Sequence, residues 1–255
     1  MTLKRLKATR YVLPLREGGS LPAICDAGVA DEYVVKFRGA GQGPKVLVAE
    51  VIAAGLAQAV GLPVPGVAVV ELGEGFGMGE PNPEIQDLLR ASVGLNFGME
   101  YLPGAIGFDA AADLEGVDPD LAASIVWFDA LISNVDRTAR NPNLLLWADA
   151  LWMIDHGASL YFHHAEQNWM PRTHDRFAMI TSHILMARAS SIRDAHERLR
   201  PLITPAVIES TVGDVPDEWL ESPAETFRQR YVDYLTARLD AQEWLEEAES
   251  ARGRH

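Results

Sequence analysis

Short apolar segments that are typical of strands dominate the first hundred residues. They are rich in β-branched and aromatic side chains, and they lie at residues 11–15, 32–37, 67–72 and 95–102. Residues 46–60 instead carry apolar side chains at helical spacing and stop at Gly61, and residues 83–92 show a second, shorter helical pattern. The pattern therefore predicts a small, strand-rich first half.

The pattern changes to a mainly helical one after Gly104. Helical spacing is found at residues 121–133, 174–202 and 224–249. Residues 143–154 predict a hairpin that turns at residues 148–150. We therefore expect an α+β protein with a two-lobed architecture, in which residues 1–103 form a small β-rich N-terminal lobe and residues 104–255 a mainly helical C-terminal lobe. A cleft between two lobes is a preferred place for a ligand.

The composition excludes several classes of protein. Of the 255 residues, 48% are hydrophobic, which supports a packed core and excludes a disordered or fibrous chain. A formal net charge of −14 argues against a nucleic-acid-binding surface. Cys25 is the single cysteine, so an internal disulfide and a thiolate metal cluster are excluded. No apolar run reaches the roughly 18 residues of a spanning helix, and we expect a soluble, cytoplasmic protein without direct contact to membrane or nucleic acid.

The most informative motif lies around the predicted hairpin. Asp136 and Asn141 form an Asp-x4-Asn pair, and Asp155 follows the second hairpin strand and opens an Asp-x-Gly turn. The hairpin returns the chain, so that Asn141 and Asp155 converge while Asp136 stays to one side. Amide and carboxylate oxygens suit Mg²⁺, for which a protein supplies one or two ligands. Such residues are also common in turns and helix caps, which is the alternative interpretation.

On these residues the chain resembles the HipA-like kinase family, in its stand-alone short form with a protein-kinase-like fold. The resemblance covers residues 11–161 and implies a phosphotransferase that uses ATP and Mg²⁺. It implies that Asp136 accepts the proton of the acceptor hydroxyl and that Asn141 and Asp155 hold the metal. It also requires a strand lysine and a helix glutamate.

Lys36 and Glu50 meet that requirement. Lys36 interrupts an otherwise apolar strand, where a charge needs a partner, and it resembles the lysine that contacts the α- and β-phosphates of ATP. Glu50 lies in the next predicted helix and can supply the opposite charge. The alternative is that both side chains lie on solvated faces of their elements.

Two glycine clusters are candidates for phosphate contact. Gly18, Gly19 and Ser20 lie between the first two predicted strands, where the resemblance places the phosphate-covering loop. An ordinary hairpin turn fits the same residues. The resemblance also predicts that Ser20 is a site of inhibitory autophosphorylation, unless its hydroxyl only caps the turn. The second cluster, residues 39–43, either lines the phosphates or serves as a flexible connection, and we favour the connection.

The segment before the second half resembles a kinase hinge. We expect the backbone groups of Glu100 and Leu102 to pair with adenine, before the chain leaves through Pro103 and Gly104.

Some positions depart from the pattern of eukaryotic kinases. His156 stands where Asp-Phe-Gly has phenylalanine, and Val135 precedes Asp136. Arg137 and Arg140 either neutralise the transferring phosphate or brace the loop. His163 and His164, as neighbours on a strand, would point to opposite faces and are not expected to share a metal.

The acceptor stays open at this point. We expect a Ser/Thr protein kinase of HipA-like type, for which the resemblance allows an antitoxin-like partner. A small-molecule phosphotransferase and a nucleotide-binding pseudokinase or scaffold are the alternatives.

Overall fold

Five strands close into a barrel in the N-terminal part of the chain. The computed structural model describes residues 3–15, 21–28, 31–164 and 168–254. The barrel strands are β1 (Lys4–Pro14), β2 (Ala23–Ala27), β3 (Asp31–Lys36), β4 (Val67–Leu72) and β5 (Gly94–Glu100). Their order is β1-β2-β3-β5-β4, and a parallel pairing of β1 with β4 closes the barrel while the other neighbours are antiparallel. Because β3 and β5 are antiparallel, Lys36 at the end of β3 pairs with Phe97, and Glu100 at the end of β5 pairs with Tyr33.

The prediction missed one barrel strand and shortened another. β2 is only five residues long and contains small residues, so it lacks the β-branched and aromatic signal of a strand. β1 begins at Lys4, in a stretch whose exposed basic side chains hide its period. β3, β4 and β5 lie within a residue or two of their predicted positions.

Helix α1 (Pro44–Ala59) is buried along most of its length. Eleven of its 16 residues are buried, including Glu50. It contacts both β5 and a C-terminal helix, α6 (Pro205–Gly213). The approach to α6 is close, since a Cβ on Gly55 would lie 2.6 Å from Cγ2 of Thr211. The second helix is α2 (Pro83–Ala91). Its N-cap residue is Asn82, whose side-chain oxygen accepts the Glu84 backbone N–H.

Six α-helices lie in the C-terminal part that the structure describes. They are α3 (Ala110–Asp113), α4 (Pro119–Ile132), α5 (Ile192–Leu199), α6 (Pro205–Gly213), α7 (Ala224–Asp240) and α8 (Glu243–Arg252). A small antiparallel sheet has the strand order β6 (Ile106–Gly107), β7 (Leu144–Trp147) and β8 (Ala150–Met153), with α3 and α4 between β6 and β7 in the sequence. The β7–β8 turn is at Ala148 and Asp149, both with positive φ, as the sequence predicts.

One predicted long helical segment, 174–202, is wrong, and the other, 224–249, is helical but interrupted. Residues 174–202 form short 3-10 turns, and only α5 is a regular helix there. Phe177 has a φ of 57°, and the Ile184 amide donates to the carbonyl of Arg137, so tertiary contacts override the helical period. The segment at 224–249 is two helices, because Ala241 is extended with ψ at 144°.

The whole is a mixed α+β fold with a β-rich N-terminal part and a helical C-terminal part. One apolar core runs from α1, β4 and β5 into α4, α7 and α8, and a second, smaller one lies between the barrel strands and α2. Within the described ranges, no helix is both long and apolar enough to cross a bilayer.

Candidate active site

The Asp-x-Gly turn that follows β8 packs directly against helix α1. Asp155 has a φ of 53°, in the left-handed region that non-glycine residues rarely adopt. Two residues on, a Cβ at Gly157 would lie 2.5 Å from Cγ1 of Val46 and 3.2 Å from Oε1 of Glu50. The turn and the first half of α1 therefore fix each other's position.

Lys36 connects this turn to the helix. Its Nζ donates to Oε1 of Glu50 at 2.5 Å and to Oδ1 of Asp155 at 2.6 Å. The second oxygen of Glu50, Oε2, accepts the backbone N–H of His156 at 3.0 Å. Lys36 and Glu50 are buried, and the Asp155 side chain is 43% exposed. The alternative of two solvated side chains is thereby excluded.

The three charged groups shift one another's pKa. Burial alone would lower the pKa of Lys36, but the carboxylates of Glu50 and Asp155 outweigh burial and raise it. Burial raises the pKa of Glu50, and Lys36 opposes that shift. Burial would also raise the pKa of Asp155, yet Lys36 lowers it below its usual value. The lysine therefore remains a cation at neutral pH.

Asp136 and Asn141 are joined by a hydrogen bond in the loop after α4. The amide Nδ2 of Asn141 donates to Oδ2 of Asp136 at 2.7 Å. The loop starts at Ser133, which has a φ of 54°, and the side chain of Asn134 accepts the Asp136 backbone N–H at 3.1 Å. These bonds orient the Asp136 carboxylate.

A buried network beneath the loop was missed by the sequence prediction. Asp129 of α4 accepts from Nε of Arg137 at 2.6 Å, from Nε2 of His183 at 2.9 Å and from Nδ2 of Asn134 at 3.1 Å. Arg137 also donates to the carbonyls of Asn143 and Ile154, at the two ends of the β7–β8 hairpin. Arg137 thus braces the loop. Of the two roles predicted for it, bracing the loop or neutralising the transferring phosphate, these contacts favour the first.

The protonation of this network follows from its partners. Burial would raise the pKa of Asp129, but Arg137 and His183 lower it well below its usual value. Burial lowers the pKa of His183, and its Nδ1 accepts the Leu185 N–H at 3.1 Å, so the proton is on Nε2. The sequence does carry one sign of this network: Asp129 is a carboxylate within the otherwise apolar helix α4, where it needs a partner.

Two cavities meet at the Lys36 group. One, of about 860 Å³, lies against β5, residues 101–107 and the β7–β8 hairpin. The other, of about 570 Å³, lies toward the start of α1. Lys36, Asn141 and Asp155 line both cavities, whereas Asp136 lines only the smaller one.

Glu100 and Leu102 both line the larger cavity. The Glu100 N–H donates to the carbonyl of Gly66 at 2.7 Å, and the Leu102 carbonyl accepts from Ala105 at 3.1 Å. Within the described chain, the Leu102 N–H has no backbone partner. Of these two residues, Leu102 is therefore the one whose backbone N–H can still donate to a ligand.

The first glycine cluster, Gly18, Gly19 and Ser20, lies outside the described residues. The base of its loop is closed by the Leu15 N–H, which donates to the Pro22 carbonyl at 2.7 Å.

The second glycine cluster, residues 39–43, is anchored at its first residue. The Arg38 N–H donates to Oδ1 of Asn96 at 2.8 Å, and the Gly39 N–H donates to Oγ of Ser92 at 3.1 Å. A Cβ at Gly39 would lie 2.7 Å from the Cβ of Ala91. Gly41 and Gln42 of this loop line the smaller cavity.

His163 and His164 lie in a 3-10 turn, which corrects the strand assumed for them. His163 is buried, and its Nδ1 is 2.9 Å from the hydroxyl of Tyr231. Burial lowers the pKa of His163 to about 3. His164 lines the smaller cavity.

The fold and this site together define a kinase-type phosphotransferase. The chain belongs to the HipA-like kinase family, whose model matches residues 10–247 and confirms the resemblance seen in the motifs. The family implies the use of ATP. Among solved structures, the chain is similar to the proinflammatory kinase CtkA of Helicobacter pylori. The TM-score is 0.61 at 13% identity, over 99% of this chain and 98% of that one. No curated protein matches the sequence.

Proposed function

We propose that the chain is an ATP- and Mg²⁺-dependent phosphotransferase of the Ser/Thr protein kinase type, with a two-lobed protein-kinase-like fold. Residues 1–103 would form the nucleotide-binding lobe and residues 104–255 the catalytic lobe. The observation that carries the proposal is the position of Lys36, buried between Glu50 and Asp155 where two cavities meet. One cavity then takes the nucleotide and the other takes the acceptor.

The larger cavity suits ATP. Its volume of about 860 Å³ lies in the range of small-molecule sites. Adenine would pair with the Glu100 carbonyl and the Leu102 amide, between apolar side chains such as Val34 and Leu145. The phosphates would then point to Lys36, with Gly18, Gly19 and Ser20 as the proposed covering loop. Lys36 supplies a fixed positive charge there.

Asn141 and Asp155 fit a Mg²⁺ ion. Because the amide nitrogen of Asn141 is committed to Asp136, its Oδ1 points elsewhere and is available as a ligand. The Asp155 carboxylate is partly exposed, and its lowered pKa keeps it ionised. Mg²⁺ takes few protein ligands and completes its shell with phosphate and water oxygens. When bound, the ion would neutralise charge on the phosphates.

Asp136 is the proposed base. It lines only the smaller cavity, so an acceptor hydroxyl would meet it from the side opposite to adenine. The hydrogen bond from Asn141 aims the carboxylate, and Oδ2 is the oxygen that the amide occupies. The other oxygen is the one that would accept the proton. A Ser/Thr acceptor and an antitoxin-like partner stay predictions.

Calorimetry with Mg-ATP tests this function. The unaltered chain should release heat on titration, and its melting temperature should rise, because a ligand of the folded state stabilises it. The double variant Lys36→Met/Glu50→Gln removes both buried charges together, so it should fold and yet lose binding. The exposed Lys4→Met is the matched control and should bind as before. Absence of heat and of a melting shift in the unaltered chain would overturn the proposal.

A further inference from the structure

A third cavity, of about 300 Å³, lies between helices α1 and α6. Within the described chain, its lining shares no residue with the two cavities at Lys36. Its volume is at the lower end of the range for small-molecule sites. Each helix contributes one face, because the lining residues along it are separated by three or four positions. They include Val51, Gly55 and Ala59 of α1, and Ala206, Val207 and Thr211 of α6.

Small residues leave this space between the two helices. Gly55 lets them approach, since a Cβ there would lie 2.6 Å from Cγ2 of Thr211. Ala59 and Ala206 line the cavity with single methyl groups and remain exposed, so the cavity is open to solvent at its rim. A ligand can therefore enter without separating the helices.

The inside of the cavity is mainly apolar. Val51 is buried, and Val207 and Leu3 are half-buried beside it. Leu3 and Val207 also pack against the large apolar core. Covering an apolar group of a ligand with these side chains removes it from water, which favours binding.

Asp214 places one carboxylate in this apolar lining. It is the one charged side chain among the described lining residues. Its Oδ1 accepts the Leu3 N–H at 3.3 Å, which orients the carboxylate. No lysine or arginine of the described chain acts on it as a counter-charge. The lining therefore combines an apolar surface with a single negative charge.

The place of Asp214 in helix α6 favours a cation beside it. Asp214 is the C-cap residue of α6, and the last turn of the helix contains no basic residue. Because the C-terminal end of a helix carries partial negative charge, it repels a carboxylate and attracts a cation. Burial also raises the pKa of Asp214, as expected for a carboxylate that has lost part of its hydration.

We propose that this cavity binds a small organic cation, with an ammonium group against Asp214 and a compact apolar body between α1 and α6. The carboxylate selects the charge, and the cavity volume limits the size of the body. The site lies outside the proposed phosphotransfer site. A ligand that joins the two helices stabilises the position of α1, which is the helix that carries Glu50.

Calorimetry with three matched probes tests the proposal. Cyclohexylmethylamine, cyclohexylmethanol and cyclohexanecarboxylate share one ring and differ in charge. Salt at about 0.15 M screens the general attraction of an acidic chain for amines. The amine should bind at one site and at least about tenfold more tightly than the alcohol, with no binding of the carboxylate. Equal affinities for amine and alcohol, or no saturable binding of the amine, would overturn the proposal.

Variants locate the binding. Asp214→Asn keeps an oxygen for the Leu3 N–H, and it should weaken the amine by about tenfold or more and the alcohol by less than about twofold. Glu209→Gln is the matched control, since Glu209 is exposed on the same helix and outside the lining. Ala206→Leu should weaken both probes by occupying the cavity. The same amine affinity in Asp214→Asn and Glu209→Gln would exclude this site.

Two further controls complete the test. A free α-amino group could compete for the carboxylate, so the amine is also titrated into protein in which that group is acetylated. It should bind there at least as tightly, and a loss of binding would argue against Asp214 as its partner. The titrations contain no nucleotide, so their result is independent of the proposed phosphotransferase function.

Discussion

Gly157 lies so close to Val46 that a Cβ atom on the glycine would be 2.5 Å from the valine Cγ1. No real Cβ contact is that short, so a side chain at residue 157 must move either the turn or helix α1. Glu50 is one helical turn beyond Val46 and shares its Oε1 with Lys36. The glycine therefore controls the geometry of the buried ion pair.

The first prediction concerns that contact. Gly157→Ala should lower the free energy of unfolding by roughly 1–3 kcal/mol, as overpacking does, and weaken Mg-ATP binding through Glu50. Urea unfolding and calorimetry measure the two effects. Gly213→Ala, where a Cβ would meet nothing within 4 Å, is the control and should be near neutral. Adding Val46→Ala should relieve part of the Gly157→Ala loss, and strictly additive effects would contradict the contact.

The second prediction separates two aspartates of the site. Asp155→Ala should remove Mg²⁺-dependent nucleotide binding, because it deletes a proposed metal ligand and a partner of Lys36. Asp136→Asn should bind nucleotide as before and lose transfer, because an amide cannot take the acceptor proton. Calorimetry and a transfer assay, with circular dichroism as a check of folding, compare the variants. If circular dichroism showed that both variants lose their fold to the same extent, the loop would have a structural role only.

The third prediction concerns the network beneath the loop. Asp129→Asn should destabilise the protein by about 3–5 kcal/mol, because it leaves the buried Arg137 without its carboxylate. The control is Asp240→Asn. Asp240 pairs with Arg200 at 2.6 Å, the same distance as between Asp129 and Arg137. Because the Asp240–Arg200 pair is exposed, its loss should change the free energy of unfolding by less than about 1 kcal/mol. Similar urea midpoints for the two variants would argue against the network.

The fourth prediction is a pH dependence that His156 creates. Burial lowers the pKa of His156 to about 3, so between about pH 3 and the ordinary value of about 6.5 only the unfolded chain binds this proton. Stability must therefore fall as the pH falls through this window. From about pH 7.5 to about pH 5, His156 should account for roughly 2 kcal/mol of the loss.

His156→Phe checks this in urea at the two pH values. Phenylalanine can fill the place beside Phe128 without a titrating group, and it should flatten the pH dependence by that amount. An unchanged difference between the two pH values would show that His156 takes up no proton on unfolding.

The sequence predicted the local and motif-based parts of the fold and site well. Strand β4 and the β7–β8 hairpin follow from period and turn residues, and Lys36, Glu50 and Asp155 were brought together by their place in a known motif. Strand β4 and the hairpin each lie within a short stretch of chain, where a local pattern is enough to indicate them. The contact of Lys36 with Asp155 joins residues 119 positions apart, and only the resemblance to a known motif indicated it.

The features that were missed depend on contacts between distant segments. His183 lies 54 residues from Asp129, and the turn that carries it takes its shape from those partners instead of its own helical period. The anchoring of Arg38 and Gly39 by Asn96 and Ser92, at the start of the glycine cluster at residues 39–43, likewise comes from another segment. Pairings of this kind have no local signal in a single sequence.

The burial of α1 has a consequence for amide hydrogen exchange. The helix is enclosed by β5 and α6, with Gly55 seated against Thr211 and Lys45 bonded to the carbonyl of His163. Swinging it outward would expose most of its apolar surface and break these contacts at once. The amides at the centre of α1 should therefore exchange with solvent at a rate set by unfolding of the whole molecule.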